Sequence, residues 1–156
     1  MDLYLMQHGE ATTEAENPER PLTEAGRAAV QRVSVRARAV GVHVGLCVHS
    51  GKLRAEQTAQ LFTGELHAQA DVSARDGLAP TDAVAPTAQW LRTTTEHDAV
   101  AVIGHLPFLD RLASLLVAGD EGVQVVRFRM GGLVKLEPKD RGEGFAVAWV
   151  LPPELA

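Results

Sequence analysis

Three short runs of this chain are apolar almost to their last residues, at 3–6, 45–50 and 99–105. They have the length of strands and do not alternate between apolar and polar residues, which predicts strands buried on both faces. Segments with helical spacing lie between them. This alternation is typical of a mostly parallel sheet with helices on both sides. We therefore expect a three-layer α/β/α sandwich.

The intervening helices are predicted from the spacing of apolar residues and from the residues that can cap them. Thr23 is the expected N-cap of the first helix, Ser50 that of the second, and Pro107 the first residue of the fourth. We expect one short strand and a loop within residues 67–82. The predicted helices run from Thr23 to about Val40, from Ser50 to Gly64, from Ala83 to Arg92 and from Pro107 to Gly119.

Beyond residue 119 the pattern changes to that of β-structure. We predict strands at 123–130, 132–138 and 145–151, the last two joined by a hairpin-like loop. The strands from this C-terminal part of the chain would join the mostly parallel sheet as antiparallel strands. The chain shows no internal repeat, low-complexity tract or linker, so we expect residues 1–156 to form a single domain.

The net charge and the number of cysteines exclude or disfavour several classes of partner and site. The formal net charge is −5, with acidic and basic residues interspersed, which argues against a nucleic acid or an anionic membrane surface as the main partner. Cys47 is the only cysteine, so an intrachain disulfide and a cysteine-based metal cluster are excluded. No run approaches the ~18 apolar residues of a membrane span. We expect a cytoplasmic protein.

Histidines stand at the ends of all three apolar runs. The first ends in Gln7-His8-Gly9, the second carries His49, and the third ends in Gly104-His105. Parallel sheets bind ligands outside the carboxyl ends of their strands. His8 and His105 each adjoin a glycine that permits close backbone approach, so we predict a functional role for these two. We interpret His49 as an ordinary polar residue at the start of a loop.

Cations accompany these histidines. Lys52 and Arg54 fall in the first turn of the helix predicted after Ser50, where a positive charge opposes the helix dipole. Arg20 lies in the loop that follows the first strand, at the same edge of the sheet. A helix N-terminus with arginines and imidazoles around it suits an oxyanion, and most of all a phosphate group.

Four segments also carry a family resemblance: LYLMQHGEA, RPLTEAGR, VHSGKLRAEQTA and VIGHLP. In this order, over residues 3 to about 136, they resemble the histidine phosphatase superfamily, which has the phosphoglycerate mutase-like fold. The short length and the RPLT segment resemble the compact SixA-type phosphohistidine phosphatases most closely.

The resemblance implies a role for each matching residue. His8 would be the phosphorylated nucleophile, and Arg54 and His105, with His105 protonated, would flank the phosphoryl group. Gly9 and Arg20 would complete the phosphate-binding set, and no metal or other cofactor would be needed. The chain departs from the superfamily's Arg-His-Gly motif at Gln7, which offers N–H donors but no charge.

The acid that protonates the leaving group is the weakest part of this assignment. Glu10, Asp76 and Asp82 are the candidates by position. About 36 residues separate Phe62 from the next clear strand, too few for a sizeable lid. An open site without a strong acid suits phosphohistidine, because a leaving imidazole, with a reference pKa of ~6.5, needs less assistance than an alkoxide.

We therefore predict a metal-independent phosphatase that acts through a covalent phosphohistidine, with phosphohistidine of a protein as its substrate. Two alternatives stay open: a pseudoenzyme that binds phosphate or a phosphoprotein, because of Gln7, and a phosphatase of small phosphomonoesters. A metal hydrolase built on His8, His49 and His105 is less consistent with the sequence, which has no dense ligand motif such as HExxH. A mutase is disfavoured because its intermediate must be shielded from water.

Overall fold

A computed structural model describes residues 1–156. It contains one six-stranded sheet, with strands in the order β3-β2-β4-β1-β5-β6. Strands β1 to β4 run parallel to one another, whereas β5 and β6 are antiparallel additions beside β1. The strands are β1 (Asp2–Gln7), β2 (Leu46–His49), β3 (Asp71–Ala74), β4 (Ala99–Gly104), β5 (Leu133–Pro138) and β6 (Phe145–Leu151).

Helices cover both faces of this sheet. The four are α1 (Glu24–Ala39), α2 (Leu53–Glu65), α3 (Ala85–Thr93) and α4 (Phe108–Ala118), and a short 3₁₀ turn follows at Pro153–Leu155. The buried residues of α1 and α2 pack on one face, against Tyr4 and Met6 of β1. Those of α3 and α4 pack on the other, against Leu3 and Leu5. The predicted three-layer α/β/α class is confirmed.

The ends of the elements show where capping was predicted correctly. Thr23 is the N-cap of α1, and its hydroxyl oxygen accepts a hydrogen bond from Gly26 N at 2.9 Å. Ser50 is not the cap of α2: that position belongs to Lys52, which makes no side-chain capping bond. Pro107 is the N-cap of α4 rather than its first residue. None of the four helices combines the length and the hydropathy that a membrane-spanning helix requires.

The strand predicted at 123–130 is wrong, because this segment is irregular. Val126 and Phe128 are buried against the core on the α3/α4 face, while the residues beside them are more exposed. The segment thus alternates in burial like a strand without joining the backbone ladder of the sheet. Alternation of apolar residues reports which side chains are buried and does not by itself require a hydrogen-bonded neighbour.

Candidate active site

The carboxyl ends of β1 and β4 bring two histidines together. Gln7 is paired with Gly104 across these neighbouring strands, and His8 N donates a hydrogen bond to Gly104 O at 3.0 Å. His8 directly follows β1, and His105 directly follows β4. Their ring centroids lie 5.0 Å apart with the planes inclined by 55°. The parallel register alone thus places both imidazoles at one point of the sheet edge.

His8 is a buried imidazole with one unprotonated ring nitrogen. Only 8% of the residue is exposed, and its Nδ1 donates a hydrogen bond to Gly9 O at 2.7 Å. That bond assigns the proton to Nδ1 and leaves Nε2 unprotonated, as a hydrogen-bond acceptor. Burial lowers the pKa of His8 below its ordinary value, and the nearby charges of Arg54 and Arg20 lower it further, against the opposing effect of the Gly9 carbonyl. The imidazole is therefore neutral at neutral pH.

Two arginines face this histidine. Arg54, in the first turn of α2, donates from Nε to His8 Nε2 at 3.4 Å. Arg20 takes a left-handed backbone conformation, with φ of 51°, and its Nε donates to Thr12 O at 3.0 Å. Burial and the positive charge of Arg20 lower the pKa of Arg54. Two guanidinium groups that repel each other over a neutral imidazole form a site that an anion would stabilise.

His105 is more deeply buried, with 2% of the residue exposed. Its Nε2 lies 2.6 Å from Ser50 Oγ, and its buried Nδ1 has no hydrogen-bond partner. Burial, together with the nearby His8, Arg54, Lys52 and Arg20, lowers the pKa of His105 to about 3. Among these groups alone the imidazole is therefore neutral, and the protonated form expected beside a phosphoryl group stays a prediction. A phosphate dianion beside it would raise that pKa again.

Gly9 and Gln7 flank His8. A Cβ at Gly9 would lie 2.9 Å from Val30 Cγ2 and 3.0 Å from Gly26 O, so only glycine lets the chain pass here. Gln7 is half-buried, and its backbone oxygen accepts a hydrogen bond from Gly131 N at 2.9 Å. No hydrogen bond of the Gln7 side chain is present, so its contact with a phosphoryl group stays a prediction.

The three candidate acids are not gathered around His8. Glu10 Oε1 accepts a hydrogen bond from Thr23 Oγ1 at 2.8 Å, at the N-terminus of α1. Asp82 Oδ2 accepts one from Ala79 N at 2.8 Å and so closes its own turn. Asp76 is exposed and makes no side-chain hydrogen bond. No hydrogen bond or ion pair joins any of these carboxylates to His8, Arg54 or His105.

His49 makes a hydrogen bond within its own segment. Its Nδ1 accepts a hydrogen bond from Gly51 N at 3.2 Å. No three of the chain's His, Cys, Asp and Glu side chains converge as metal ligands would. The geometry therefore gives no support to the hydrolase with His8, His49 and His105 as ligands.

Sequence reasoning missed three polar residues that hold the site together. Ser50 was interpreted as a helix cap, whereas its hydroxyl contacts His105. Gln57 Oε1 accepts a hydrogen bond from Leu22 N at 2.8 Å, and Thr58 Oγ1 accepts one from Gly9 N at 3.0 Å. A signal for Thr58 was present, since it shares the buried face of α2 with apolar residues, where a hydroxyl needs a partner.

Comparison with known proteins identifies the family of this site. The model of the histidine phosphatase superfamily, branch 1, matches residues 3–83, a stretch that includes His8, Arg20 and Arg54. The chain belongs to this superfamily. An uncharacterised protein of Picosynechococcus is 30% identical over 97% of this chain and 100% of its own length. The prediction of a phosphatase is confirmed at the level of the family.

Solved structures match over nearly the whole chain. The protein histidine phosphatase SixA complexed with tungstate has 24% sequence identity, covers 98% of this chain and 97% of its own, and gives a TM-score of 0.86. The α-ribazole phosphatase of Shigella flexneri has 16% identity, 94% and 95% coverage, and a TM-score of 0.75. At these identities the likeness shows a shared fold, so the histidine phosphatase fold is confirmed and the substrate is left open.

Proposed function

We propose that this chain is a metal-independent phosphatase that acts through phosphorylated His8, with phosphohistidine of a protein as its substrate. The observation that carries the proposal is the arrangement at His8 Nε2. This atom is free of a proton because Nδ1 is bound to Gly9 O at 2.7 Å, and Arg54 Nε lies 3.4 Å from it. The unprotonated Nε2 of His8 can therefore attack the phosphorus of a phosphoryl group whose oxygens are bound by the Arg54 guanidinium.

The first step transfers the phosphoryl group to the enzyme. The Nε2 lone pair of His8 forms a bond to phosphorus while the bond from phosphorus to the leaving nitrogen breaks, and the leaving imidazole keeps that electron pair. The imidazole departs neutral when its distal nitrogen carries a proton. Arg54, Arg20 and the Gln7 amide would stabilise the phosphoryl oxygens, and His105 would join them once the dianion has raised its pKa.

The second step returns the enzyme to its starting state. A water oxygen forms a bond to phosphorus while the bond between phosphorus and His8 Nε2 breaks, and the electron pair of that bond returns to Nε2. One proton of the water stays on the departing inorganic phosphate, and the other passes to solvent. His8 recovers its lone pair, and the hydrogen bond from Nδ1 to Gly9 O holds the ring in the same tautomer through both steps. No group other than His8 needs to become covalently modified.

Two features support a phosphoramidate on a protein as the substrate. No carboxylate is held beside His8, and an imidazole leaving group requires the least acid assistance. The fold is also that of SixA, a protein histidine phosphatase whose structure holds the oxyanion tungstate.

Two other functions have specific support. A small phosphomonoester is favoured by the shared fold with α-ribazole phosphatase. A pseudoenzyme that binds phosphate without turnover is favoured by Gln7, which carries no charge at the position that the superfamily motif gives to arginine. We propose the active enzyme over the pseudoenzyme because His8, Arg54 and His105 are all present and close together.

A parallel turnover assay tests this assignment. Wild type and His8→Ala are compared on a phosphohistidine-bearing protein and on p-nitrophenyl phosphate, each with and without a metal chelator. We expect wild type to release phosphate faster from the phosphohistidine protein, His8→Ala to be inactive, and the chelator to change nothing. Faster turnover of the phenyl ester would favour small phosphomonoesters, and binding without turnover of either substrate would favour the pseudoenzyme.

We further propose that residues 1–156 act as one catalytic domain in the cytoplasm. A single sheet takes its strands from Asp2 to Leu151, and the only cysteine, Cys47, is buried and unpaired. A chain of this kind needs no oxidising compartment to fold.

A further inference from the structure

Thr58 is a fully buried polar residue on the inner face of α2. None of its surface is exposed, and its neighbours on that face are Ala55, Ala59 and Phe62, all equally buried. The hydroxyl both donates and accepts. It donates to Arg54 O at 2.7 Å, one helical turn earlier, and it accepts from Gly9 N at 3.0 Å.

The second bond joins two segments that are far apart in sequence. Gly9 and Thr58 are 49 residues apart, and Gly9 immediately follows the nucleophile. Thr58 therefore connects the end of β1, which carries His8, to the helix that carries Arg54. The hydroxyl contacts the backbone on both sides, so it does not touch the imidazole or the guanidinium themselves.

Gly9 in turn determines the state of His8. Its carbonyl accepts the hydrogen bond from His8 Nδ1 at 2.7 Å, and this bond leaves Nε2 unprotonated. The position of Gly9 is fixed on one side by α1, where a Cβ would approach Val30 and Gly26 O. On the other side it is fixed by the hydroxyl of Thr58. Of these two restraints on Gly9, the hydrogen bond to Thr58 is the one that a side-chain replacement can remove.

We propose that Thr58 is a positioning residue, which holds Gly9 so that its carbonyl keeps His8 in the Nδ1–H tautomer with Nε2 directed at phosphorus. The inference rests on the proposed function, in which His8 Nε2 is the nucleophile. In this proposal, the Thr58 hydroxyl keeps His8 aligned with Arg54, the arginine that binds the phosphoryl group.

Valine and serine separate the hydroxyl from the shape of the side chain. Thr58→Val keeps the branched form but removes the acceptor for Gly9 N, whereas Thr58→Ser keeps the hydroxyl. Thr63 supplies a matched control on the same helix. It is 7% exposed, and its hydroxyl donates to Ala59 O at 2.9 Å in the same way that Thr58 donates to Arg54 O, but it makes no hydrogen bond to β1 or the loop after it.

The kinetic experiment measures kcat, KM and vanadate inhibition in Thr58→Val, Thr58→Ser and Thr63→Val. We expect Thr58→Val to lower kcat by about 10- to 100-fold, since a nucleophile out of alignment loses rate even when binding survives. KM and vanadate affinity should change less than about threefold, because Arg54 stays in place. Thr58→Ser should recover most of the rate, and Thr63→Val should retain it.

The tautomer is measured without turnover, by nitrogen-15 NMR of the His8 ring above its pKa. Wild type and Thr58→Ser should show the proton on Nδ1, and Thr58→Val should show a share on Nε2. Retention of kcat and of the Nδ1–H tautomer in Thr58→Val would overturn the inference. If Thr58→Val does not fold, Thr58→Ala takes its place under the same criteria. If wild type hydrolyses no phosphorylated substrate, the proposed function fails, whereas the NMR comparison still decides the role of Thr58.

Discussion

At the scale of single residues, Gln7 offers the sharpest test of the phosphate pocket. It follows Met6 at the end of β1 and precedes the nucleophile. A neutral hydrogen bond contributes ~0.5–1.5 kcal/mol net, and one that involves a charged group contributes ~1.5–3 kcal/mol. We therefore expect Gln7→Arg to tighten vanadate or phosphate binding roughly tenfold, as a gain of ~1.4 kcal/mol would.

The control for this gain is Gln60→Arg, which adds the same charge on an exposed part of α2. Inhibition by vanadate is measured for both variants and for wild type at one pH and low salt. Equal inhibition of Gln7→Arg and Gln60→Arg, with both folded, would mean that the Gln7 side chain does not face the pocket.

Arg54 and His105 belong to the same pocket and are expected to act on the transition state. Replacement of either by alanine should lower kcat/KM at least ~100-fold, as for other lost stabilisers of developing charge. Arg32→Ala and His43→Ala, at exposed positions, are the matched controls and should leave kcat/KM unchanged. Full activity in Arg54→Ala or His105→Ala would remove that residue from the site.

The pKa of His8 gives a second, pH-dependent test. Burial and two nearby arginines lower this pKa from 6.5, so His8 is neutral, and nucleophilic, above a pH that lies below 6.5. The acid limb of kcat/KM should therefore fall below pH 6.5. Arg54→Ala removes one cation and should raise the His8 pKa, which proton NMR of the ring can follow. An unchanged His8 pKa in Arg54→Ala, or a change no larger than that in the control Arg32→Ala, would contradict this account.

At the scale of elements, one turn of α2 organises the site. Arg54 reaches His8, Gln57 holds Leu22 N at 2.8 Å, and Thr58 holds Gly9 N. Leu22 lies two residues after Arg20, so Gln57 restrains the loop that carries that arginine. This explains why a helix beginning beside the pocket carries polar residues on its inner face.

Gln57→Ala should loosen that loop without touching the nucleophile. We expect KM to rise by about three- to tenfold with kcat nearly constant, in line with the ~1 kcal/mol of one hydrogen bond. Gln60→Ala, on the same helix, is the control, since the side chain of Gln60 makes a hydrogen bond only to Glu56, at 3.5 Å. If the two variants have the same KM, Gln57 does not position the Arg20 loop.

The elements also show what the sequence could and could not predict. The strands that end at His8 and His105 were predictable because continuous apolar runs require burial on both faces. The irregular structure of residues 123–130 was not predictable, because Val126 and Phe128 are buried as alternate residues of a strand would be, although the segment forms no strand. Ser50 and Thr58 were missed because their partners, His105 and Gly9, are distant in sequence and depend on the packing of α2.

At the scale of the whole molecule, the site is a consequence of strand order. β4 lies between β1 and β2, so the residues that follow β1 and β4 are neighbours, and α2 begins shortly after β2 at the same edge. The strands at the other end, β5 and β6, extend the sheet away from β2. The parallel half of the sheet thus supplies the histidines and arginines.

The carboxylates show the limit of reasoning from position. Glu10 and Asp82 lie in loops of the kind that surround such sites, yet each accepts a hydrogen bond near its own segment. A loop side chain can turn toward its own backbone as easily as toward a pocket, and spacing in the sequence does not distinguish the two. The protonated His105 of the expected mechanism likewise depends on a bound phosphoryl group, because burial and the nearby His8 and cations lower the pKa of this residue to about 3.

The central claim is that the phosphoryl group passes through His8, and a quench experiment tests it most directly. Wild type and His8→Ala are mixed with a protein bearing radiolabelled phosphohistidine and stopped in alkali within the first turnover, and the label on the enzyme is located by peptide mapping. The account predicts an acid-labile, alkali-stable label on His8 of wild type and none on His8→Ala. Label on another residue, or turnover that survives in His8→Ala, would contradict it.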